Sequence, residues 1–94
     1  MGFKVQVINA CTIVTATAKS YTGVTSADVV FKNLDNNGVY TQTLNYSGSN
    51  LHGQMNVLVS NLPAPNGVYE VSLMEAGSEV ARRPLLIHCD IDCC

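Results

Sequence analysis

The sequence has no tryptophan, two histidines and few charged residues. Charged side chains make up 13% of the 94 residues, about half the ~25% of an average soluble domain. Of its five basic residues only Arg82 and Arg83 are adjacent, and neighbours on a strand point to opposite faces. A phosphate-binding surface needs clustered lysine and arginine. We therefore expect no nucleic-acid partner and little electrostatic steering of any partner.

Long apolar runs are also missing. No stretch approaches the ~20 apolar residues of a membrane helix. The first residues, from Phe3 to Val7, alternate in polarity, whereas a secretory signal peptide has a continuous apolar segment. We expect no membrane partner and a chain that is made and kept in the cytosol.

Catalytic motifs are absent from the sequence as well. It contains no Gly-x-Ser-x-Gly motif and no glycine-rich phosphate loop. Its Gly77-Ser78-Glu79 segment lies in a predicted hairpin turn, and His52 lies in a predicted loop. With two histidines available, we expect a protein that is not an enzyme and has no cofactor and no small-molecule substrate.

What the sequence does contain is a period of two, the alternation of a half-buried strand. Tyr69, Val71 and Leu73 alternate with Glu70 and Ser72, for example. Turn-forming residues separate the segments, and none shows extended helical periodicity. Seven strands are predicted, over residues 3–7, 11–18, 28–34, 39–44, 54–60, 68–75 and 79–87. Short strands at this spacing indicate one all-β domain, a sandwich or a barrel.

One hairpin is specifically signalled by Asn37-Gly38, which lies between two apolar runs. Asn-Gly is a strong hairpin signal because both residues adopt positive φ at small cost. We therefore expect residues 28–34 and 39–44 to pair antiparallel, with Val29 and Phe31 facing the core.

A longer motif follows at residues 61–73, Asn-Leu-Pro-Ala-Pro-Asn-Gly-Val-Tyr-Glu-Val-Ser-Leu. It resembles the corner between the fifth and sixth strands of immunoglobulin-like and fibronectin-III-like domains. The resemblance implies a seven-stranded antiparallel Ig-like β-sandwich over residues 1–88, followed by a Cys-rich strand extension over residues 89–94. It also implies that Tyr69 is a corner tyrosine, with its ring in the core and its hydroxyl bonded to upstream backbone.

The chain departs from antibody domains in two respects, since it has no tryptophan and no cysteine on the strand of Tyr69. The inter-sheet disulfide of that family is therefore excluded, and bacterial and phage Ig-like modules are the better comparison. In size, low charge and Thr/Ser/Asn content the chain resembles accessory proteins of tailed-phage virions, such as head-decoration, neck or tail components.

This second resemblance implies a structural protein of the virion, made in the host cytoplasm, whose partners are other structural proteins and further copies of itself. The alternative function is an Ig-like module that recognises a carbohydrate or a cell surface, and the alternative location is the cytoplasm. That alternative function would use Tyr21, Tyr40, Tyr46 and the Asn-rich loops.

The C-terminal residues from His88 to Cys94 have two interpretations. Thiolates and an imidazole suit zinc, and the candidate ligands are His88, Cys89, Cys93 and Cys94. Three residues separate Cys89 from Cys93, however, whereas zinc knuckles have two residues between their ligands. The favoured interpretation is a continued strand, with Cys89 and Cys93 on its apolar face and His88, Asp90 and Asp92 on the other. Redox or interchain chemistry of the thiols is a further alternative.

Two surfaces are candidates for contact with a partner. Tyr40, Leu44 and Tyr46 share one face of the fourth strand, which is either an exposed binding surface or the inward face. The last strand, from residue 79 to 94, is a candidate edge for pairing with a neighbour, and Pro84 within it predicts an edge or a bulge. The predicted interaction residues are Tyr40, Leu44, Tyr46, Leu86, His88, Asp90 and Asp92.

Overall fold

The structure, a computed structural model, describes residues 2–8 and 12–88. The described residues form seven strands and one short 3₁₀ helix, in the order β1 (Lys4–Ile8), β2 (Ile13–Lys19), β3 (Ser26–Asn33), β4 (Val39–Asn45), β5 (His52–Leu58), the 3₁₀ helix (Val59–Asn61), β6 (Gly67–Glu75) and β7 (Ser78–Ile87). Each of the seven predicted strands corresponds to one of these, with ends that differ by at most two residues.

The strands form two antiparallel sheets. One has three strands in the order β1-β2-β5, and the other has four in the order β4-β3-β6-β7. All the pairings between neighbouring strands are antiparallel. The prediction of an all-β fold built from antiparallel strands is therefore confirmed.

The core consists of alternate residues from the two sheets. Strand β5 has the strict period of two that the sequence predicts, because Gly53, Met55 and Val57 are buried while their neighbours are exposed. The largest fully buried side chains are those of Tyr69 and Phe31, on the neighbouring strands β6 and β3. The three-stranded sheet supplies small residues, including Ala16 and Ala18. Burial of these apolar side chains is the main stabilisation of the fold.

The β3–β4 hairpin forms as predicted, with Lys32 opposite Val39. Its turn differs in detail from the expectation, because Asn37 takes a positive φ of 61° and Gly38 does not. Glycine is required at position 38 for a steric reason instead. A Cβ there would lie 2.6 Å from the Cβ of Pro63, which is closer than carbon atoms pack.

Strand β5 begins earlier than the sequence predicts. The sequence predicts a loop at His52, but the backbones of Ser47 and His52 hydrogen bond to each other in both directions, and His52 is the first residue of β5. Gly53 allows this early pairing, since a Cβ at that position would overlap the carbonyl oxygen of Asn45.

Tyr69 has the geometry of a corner tyrosine, with its ring in the core and its hydroxyl bonded to upstream backbone. Its side chain is fully buried. Its hydroxyl accepts a hydrogen bond from the Ala64 N–H at 2.9 Å and donates one to the Ala64 carbonyl oxygen. The Tyr69 side chain thereby links β6 to the segment between the 3₁₀ helix and β6.

Strand β7 is an edge strand of the four-stranded sheet, which agrees with the expectation from Pro84. A bulge is present too, but elsewhere in the strand. Leu73 pairs with Ala81 and Met74 pairs with Glu79, so Val80 is the extra residue.

Replacing the Tyr69 hydroxyl should destabilise the protein measurably. Tyr69→Phe leaves the Ala64 N–H and carbonyl without their partner, and we expect a loss of about 1–2 kcal/mol in the free energy of unfolding. Tyr40→Phe is the matched control, because among the described residues the Tyr40 hydroxyl hydrogen bonds only to the Gln42 side chain, and its cost should stay within about 0.5 kcal/mol. Urea denaturation of both variants measures the difference, and equal losses would contradict the assigned role of the Tyr69 hydroxyl.

Candidate functional site

The outward face of the four-stranded sheet carries exposed apolar residues at one end. Leu34 follows β3, and its N–H donates to the Val68 carbonyl at 2.9 Å. Val68 in turn lies opposite Leu86 of β7. The exposed fractions of Leu34, Val68 and Leu86 are 47%, 42% and 64%. These three side chains therefore form an apolar row across three neighbouring strands, in contact with solvent.

A second row lies directly beside the first. The strand registers place Val39, Lys32, Glu70 and Pro84 side by side across β4, β3, β6 and β7. Val39 is 56% exposed. The apolar members of the two rows (Leu34, Val39, Val68, Pro84 and Leu86) are called here the outer apolar surface, with Lys32 and Glu70 at its centre.

Some charged residues at this surface form ion pairs and others do not. The Arg82 guanidinium lies 3.2 Å from the Glu70 Oε2 and 3.0 Å from the Glu79 Oε1. Its hydrogen bonds lower the pKa of the Glu79 carboxyl, and Glu79 and Glu70 raise the pKa of the arginine. Such exposed pairs contribute little to stability. Lys32 faces Glu70 across the strands, yet within residues 2–8 and 12–88 it makes no ion pair.

The free edge of β7 is interrupted as a template for strand pairing. Pro84 has no N–H to offer a neighbour, and proline on an edge strand limits pairing with further strands. At the adjacent position, the Arg83 side chain donates to the Phe3 carbonyl oxygen at 3.1 Å, so the N-terminal residues cover part of this edge. The flat face of the sheet is consequently more accessible to a partner than the middle of its β7 edge.

The opposite end of the protein is organised by one buried carboxylate, that of Glu75 at the end of β6. Its side chain is 1% exposed. It accepts hydrogen bonds from the backbone N–H groups of Tyr21 and Thr22, from the Thr22 hydroxyl at 2.7 Å and from the Tyr46 hydroxyl at 2.7 Å. One charge thus connects the β2–β3 loop, the start of the β4–β5 loop and the β6–β7 hairpin.

The ionisation of this cluster follows from those contacts. Burial acts to raise the pKa of Glu75, but the hydrogen bonds from the β2–β3 loop and from Tyr46 outweigh it, and the pKa lies below its ordinary value of 4.5. Burial, followed by the contact with Glu75, raises the pKa of the Tyr46 phenol. The carboxylate is therefore ionised and the phenol protonated at neutral pH.

The aromatic face predicted on β4 is the inward one of the two alternatives. Leu44 is 1% exposed and Tyr46 is 5% exposed, and both belong to the core. Tyr40 is partly buried against the core and its ring packs on Phe31, with ring centroids 6.3 Å apart. The prediction of an exposed interaction face formed by Tyr40, Leu44 and Tyr46 is therefore wrong, because the pairing of β4 with β3 turns these side chains inward.

Of the predicted residues on the last strand, two lie in the described part of the chain. Leu86 belongs to the outer apolar surface, and His88 is exposed just after β7. The remaining predicted residues (Cys89, Asp90, Asp92, Cys93 and Cys94) lie outside the described residues, as does the predicted strand extension over 89–94. Among residues 2–8 and 12–88, no group of three or more His, Cys, Asp or Glu side chains is placed to hold a metal ion.

The sequence interpretation missed most of the outer apolar surface and the Glu75 cluster. A signal for the first was present, because the alternation that turns Tyr69 inward also turns Val68 outward. For Glu75, the alternation of β6 continues the inward face to residue 75, but no local signal indicates that a charged side chain is buried there. Its donors lie more than 25 residues away in sequence.

The other polar side chains buried in the described residues are Thr15 and Asn33. Thr15 donates to the Asn56 side chain at 2.8 Å. The Asn33 Oδ1 accepts from the N–H groups of Asp35 and Asn36, while its Nδ2 has no partner among the described residues. Thr15 lies within β2, and Asn33 and Glu75 lie at opposite ends of the four-stranded sheet, so these three groups do not converge. No described helix is long and apolar enough to cross a membrane.

Removing the Glu75 charge should destabilise the fold. Glu75→Gln places an amide among groups that all donate hydrogen bonds, and we expect a loss of about 2–3 kcal/mol in the free energy of unfolding at neutral pH. Glu79→Gln is the control, because that carboxylate is exposed and should show little change. Urea denaturation followed by circular dichroism compares the two, and a similar effect from both variants would contradict the anchoring role of Glu75.

The same cluster predicts a pH dependence with a definite sign. Because the pKa of Glu75 is lower in the folded than in the unfolded state, its stabilisation is complete above the ordinary value of 4.5 and is lost as the pH falls through the folded-state value. The stability difference between the unmodified protein and Glu75→Gln should therefore shrink steadily on acidification below pH 4.5. Denaturation curves over an acid pH series measure it, and a difference that stays constant would refute the linkage.

Comparisons with protein-family models, with curated proteins and with solved structures find no match for this chain. Its function is therefore inferred from the surfaces described above.

Proposed function

We propose that this protein is a non-catalytic structural and interaction module that binds another protein through its outer apolar surface. The observation that carries this proposal is the row of Leu34, Val68 and Leu86, continued by Val39, on the outward face of the four-stranded sheet. Single exposed apolar residues are common, but a contiguous apolar patch on a folded protein marks a contact surface. The module would contribute a rigid sheet, and association would be driven by burial of these side chains.

The sequence predicts both apolar contacts and pairing at the edge of the last strand, and of these two we favour apolar contacts through the face of the sheet. Pro84 and the contact between Arg83 and Phe3 interrupt that edge, whereas no residue in the described part of the chain covers the outer apolar surface. His88 is exposed and directly follows the strand that carries Leu86. Interaction through the predicted residues Leu86 and His88 would thus occur by packing on the face rather than by adding a strand.

The fold relationship that we infer is to immunoglobulin-like domains of the fibronectin-III-like kind. Grouping of the first, second and fifth strands in one sheet and of the third, sixth and seventh in the other supports it, since Ig domains divide their strands in this way. The buried Tyr69 with its hydroxyl on Ala64 supports it too. The fourth strand pairs with the third here, whereas in constant-type Ig domains it joins the first, second and fifth.

The setting that we propose is a symmetric assembly with many copies of the module, such as a virion. Its low charge favours this, because a chain with 13% charged residues has few charges to remove from water when two apolar faces meet. The carbohydrate-recognition alternative has less support, since Tyr46 lies in the core and Tyr40 packs on Phe31. Of its three proposed aromatic residues, Tyr21 is exposed, at 40%.

Site-specific photocrosslinking tests this function. A benzophenone amino acid is placed at position 86 in the full chain, which is expressed in its native host and irradiated in intact cells. The control is position 58, where Leu58 is 52% exposed on β5 of the other sheet. We expect discrete protein adducts from position 86 and few from position 58.

The outcomes of this experiment are distinct. Adducts of defined mass from position 86 support the proposed function whether the captured protein is a second copy or a different chain. Equal yields from the two positions, or no adduct from position 86 while the variant remains folded, would contradict it.

A further inference from the structure

We propose that the partner of the outer apolar surface is a second copy of this chain, related by a two-fold axis that runs parallel to the strands between β3 and β6. This proposal depends on the proposed function, because it names the partner of the same surface. It predicts a symmetric dimer in which two four-stranded sheets pack face to face. Such dimers with closed symmetry are the commonest protein oligomers.

The first argument is the order of residues across the sheet. From β4 to β7 the second row reads Val39, Lys32, Glu70 and Pro84, that is, apolar, positive, negative and apolar. A two-fold rotation about the stated axis reverses this order while keeping each row at its level. Lys32 then faces Glu70 of the second copy, Val39 faces Pro84, and the same pairs recur on the other side of the axis.

The first row matches itself under the same rotation. Leu34, beside β3, then faces Val68 of the second copy on β6, and this apolar pair occurs twice. Each copy thereby removes from water side chains that are about half exposed in the single chain. Sheets that pack in this manner lie about 10 Å apart with their strands rotated by roughly 30°, which leaves the rows near the axis in contact.

The second argument is the state of the charges. Lys32 makes no ion pair within residues 2–8 and 12–88, although Glu70 is its neighbour across the strands. Glu70 contacts Arg82 instead, and Arg82 is shared with Glu79. Among the described residues, the Lys32 ammonium, which lies between apolar side chains, therefore has no carboxylate in ion-pair contact. The dimer supplies one twice, and like charges do not meet at these positions.

The third argument is size. Strand β6 has nine residues, which gives a length of roughly 30 Å, and four strands give a width of roughly 19 Å. The flat area is about 570 Å², somewhat below the ~800 Å² that each partner contributes to a standard interface. The face is large enough for a specific but weak and reversible dimer.

Sedimentation equilibrium of the full chain under reducing conditions tests the dimer, because the reductant prevents disulfide links among its four cysteines. Over micromolar to millimolar concentrations we expect a reversible monomer–dimer equilibrium. Lys32→Glu and Glu70→Lys should each weaken dimerisation at least about tenfold, which is about 1.4 kcal/mol. Lys19→Glu is the matched control, since Lys19 is exposed on β2 of the other sheet, and it should leave the equilibrium unchanged.

The symmetry gives the decisive measurement. An equimolar mixture of Lys32→Glu and Glu70→Lys should form a heterodimer, because each copy then carries the charge that the other lacks at both contacts. The double variant that contains both changes should dimerise by itself. Circular dichroism and urea denaturation confirm that each variant is folded.

Each contrary outcome has its own meaning. A chain that stays monomeric at every concentration overturns the dimer, and the proposed function is then decided by the mass of the photocrosslinked adduct. A dimer that Leu86→Asp dissociates but the charge reversals leave unchanged overturns this arrangement while the outer apolar surface stands as the interface. A dimer insensitive to both kinds of variant overturns the inference and also counts against the proposed surface.

Discussion

The alternation of side chains along β6 is the constraint on which the rest of this structure depends. This strand pairs with β3 on one side and β7 on the other. Its inward residues, Tyr69, Val71 and Leu73, are fully buried. The same alternation turns Val68 and Glu70 outward and brings Glu75 into a buried position at the strand end. A shift of register by one residue would exchange core and surface.

The two ends of the sandwich differ in their physical character. At the end of β6, a buried carboxylate with hydrogen bonds from two other segments holds the loops in one arrangement. Removing such a charge from water is costly unless it is fully hydrogen bonded, and here several donors satisfy it. At the start of β6, the corresponding surface is apolar and lies in solvent. The polar groups at one end are thus hydrogen bonded within the protein, while covering the apolar side chains at the other end would lower the free energy.

This contrast is why the proposed function concerns a face of the sheet. A protein with few charges has weak long-range attraction for a partner, so specificity must come from shape and from a few well-placed charges. Lys32 and Glu70 lie at the centre of the outer apolar surface and can provide that specificity. The apolar residues around them would supply most of the driving force for association.

The sequence by itself determined the number of strands, their approximate limits and most of their inward faces, because the alternation of polarity is a local property. It also determined the β3–β4 hairpin and the place of Tyr69, since short motifs near each residue encode them. Strand pairing decided the rest. Whether Tyr40, Leu44 and Tyr46 face the core depends on which sheet β4 joins, and polarity alone leaves both faces of that strand possible. Similarly, Leu34, Val68 and Leu86 become one surface, and Glu75 gains its donors, through contacts between segments that are distant in sequence. Only the tertiary structure brings such segments together.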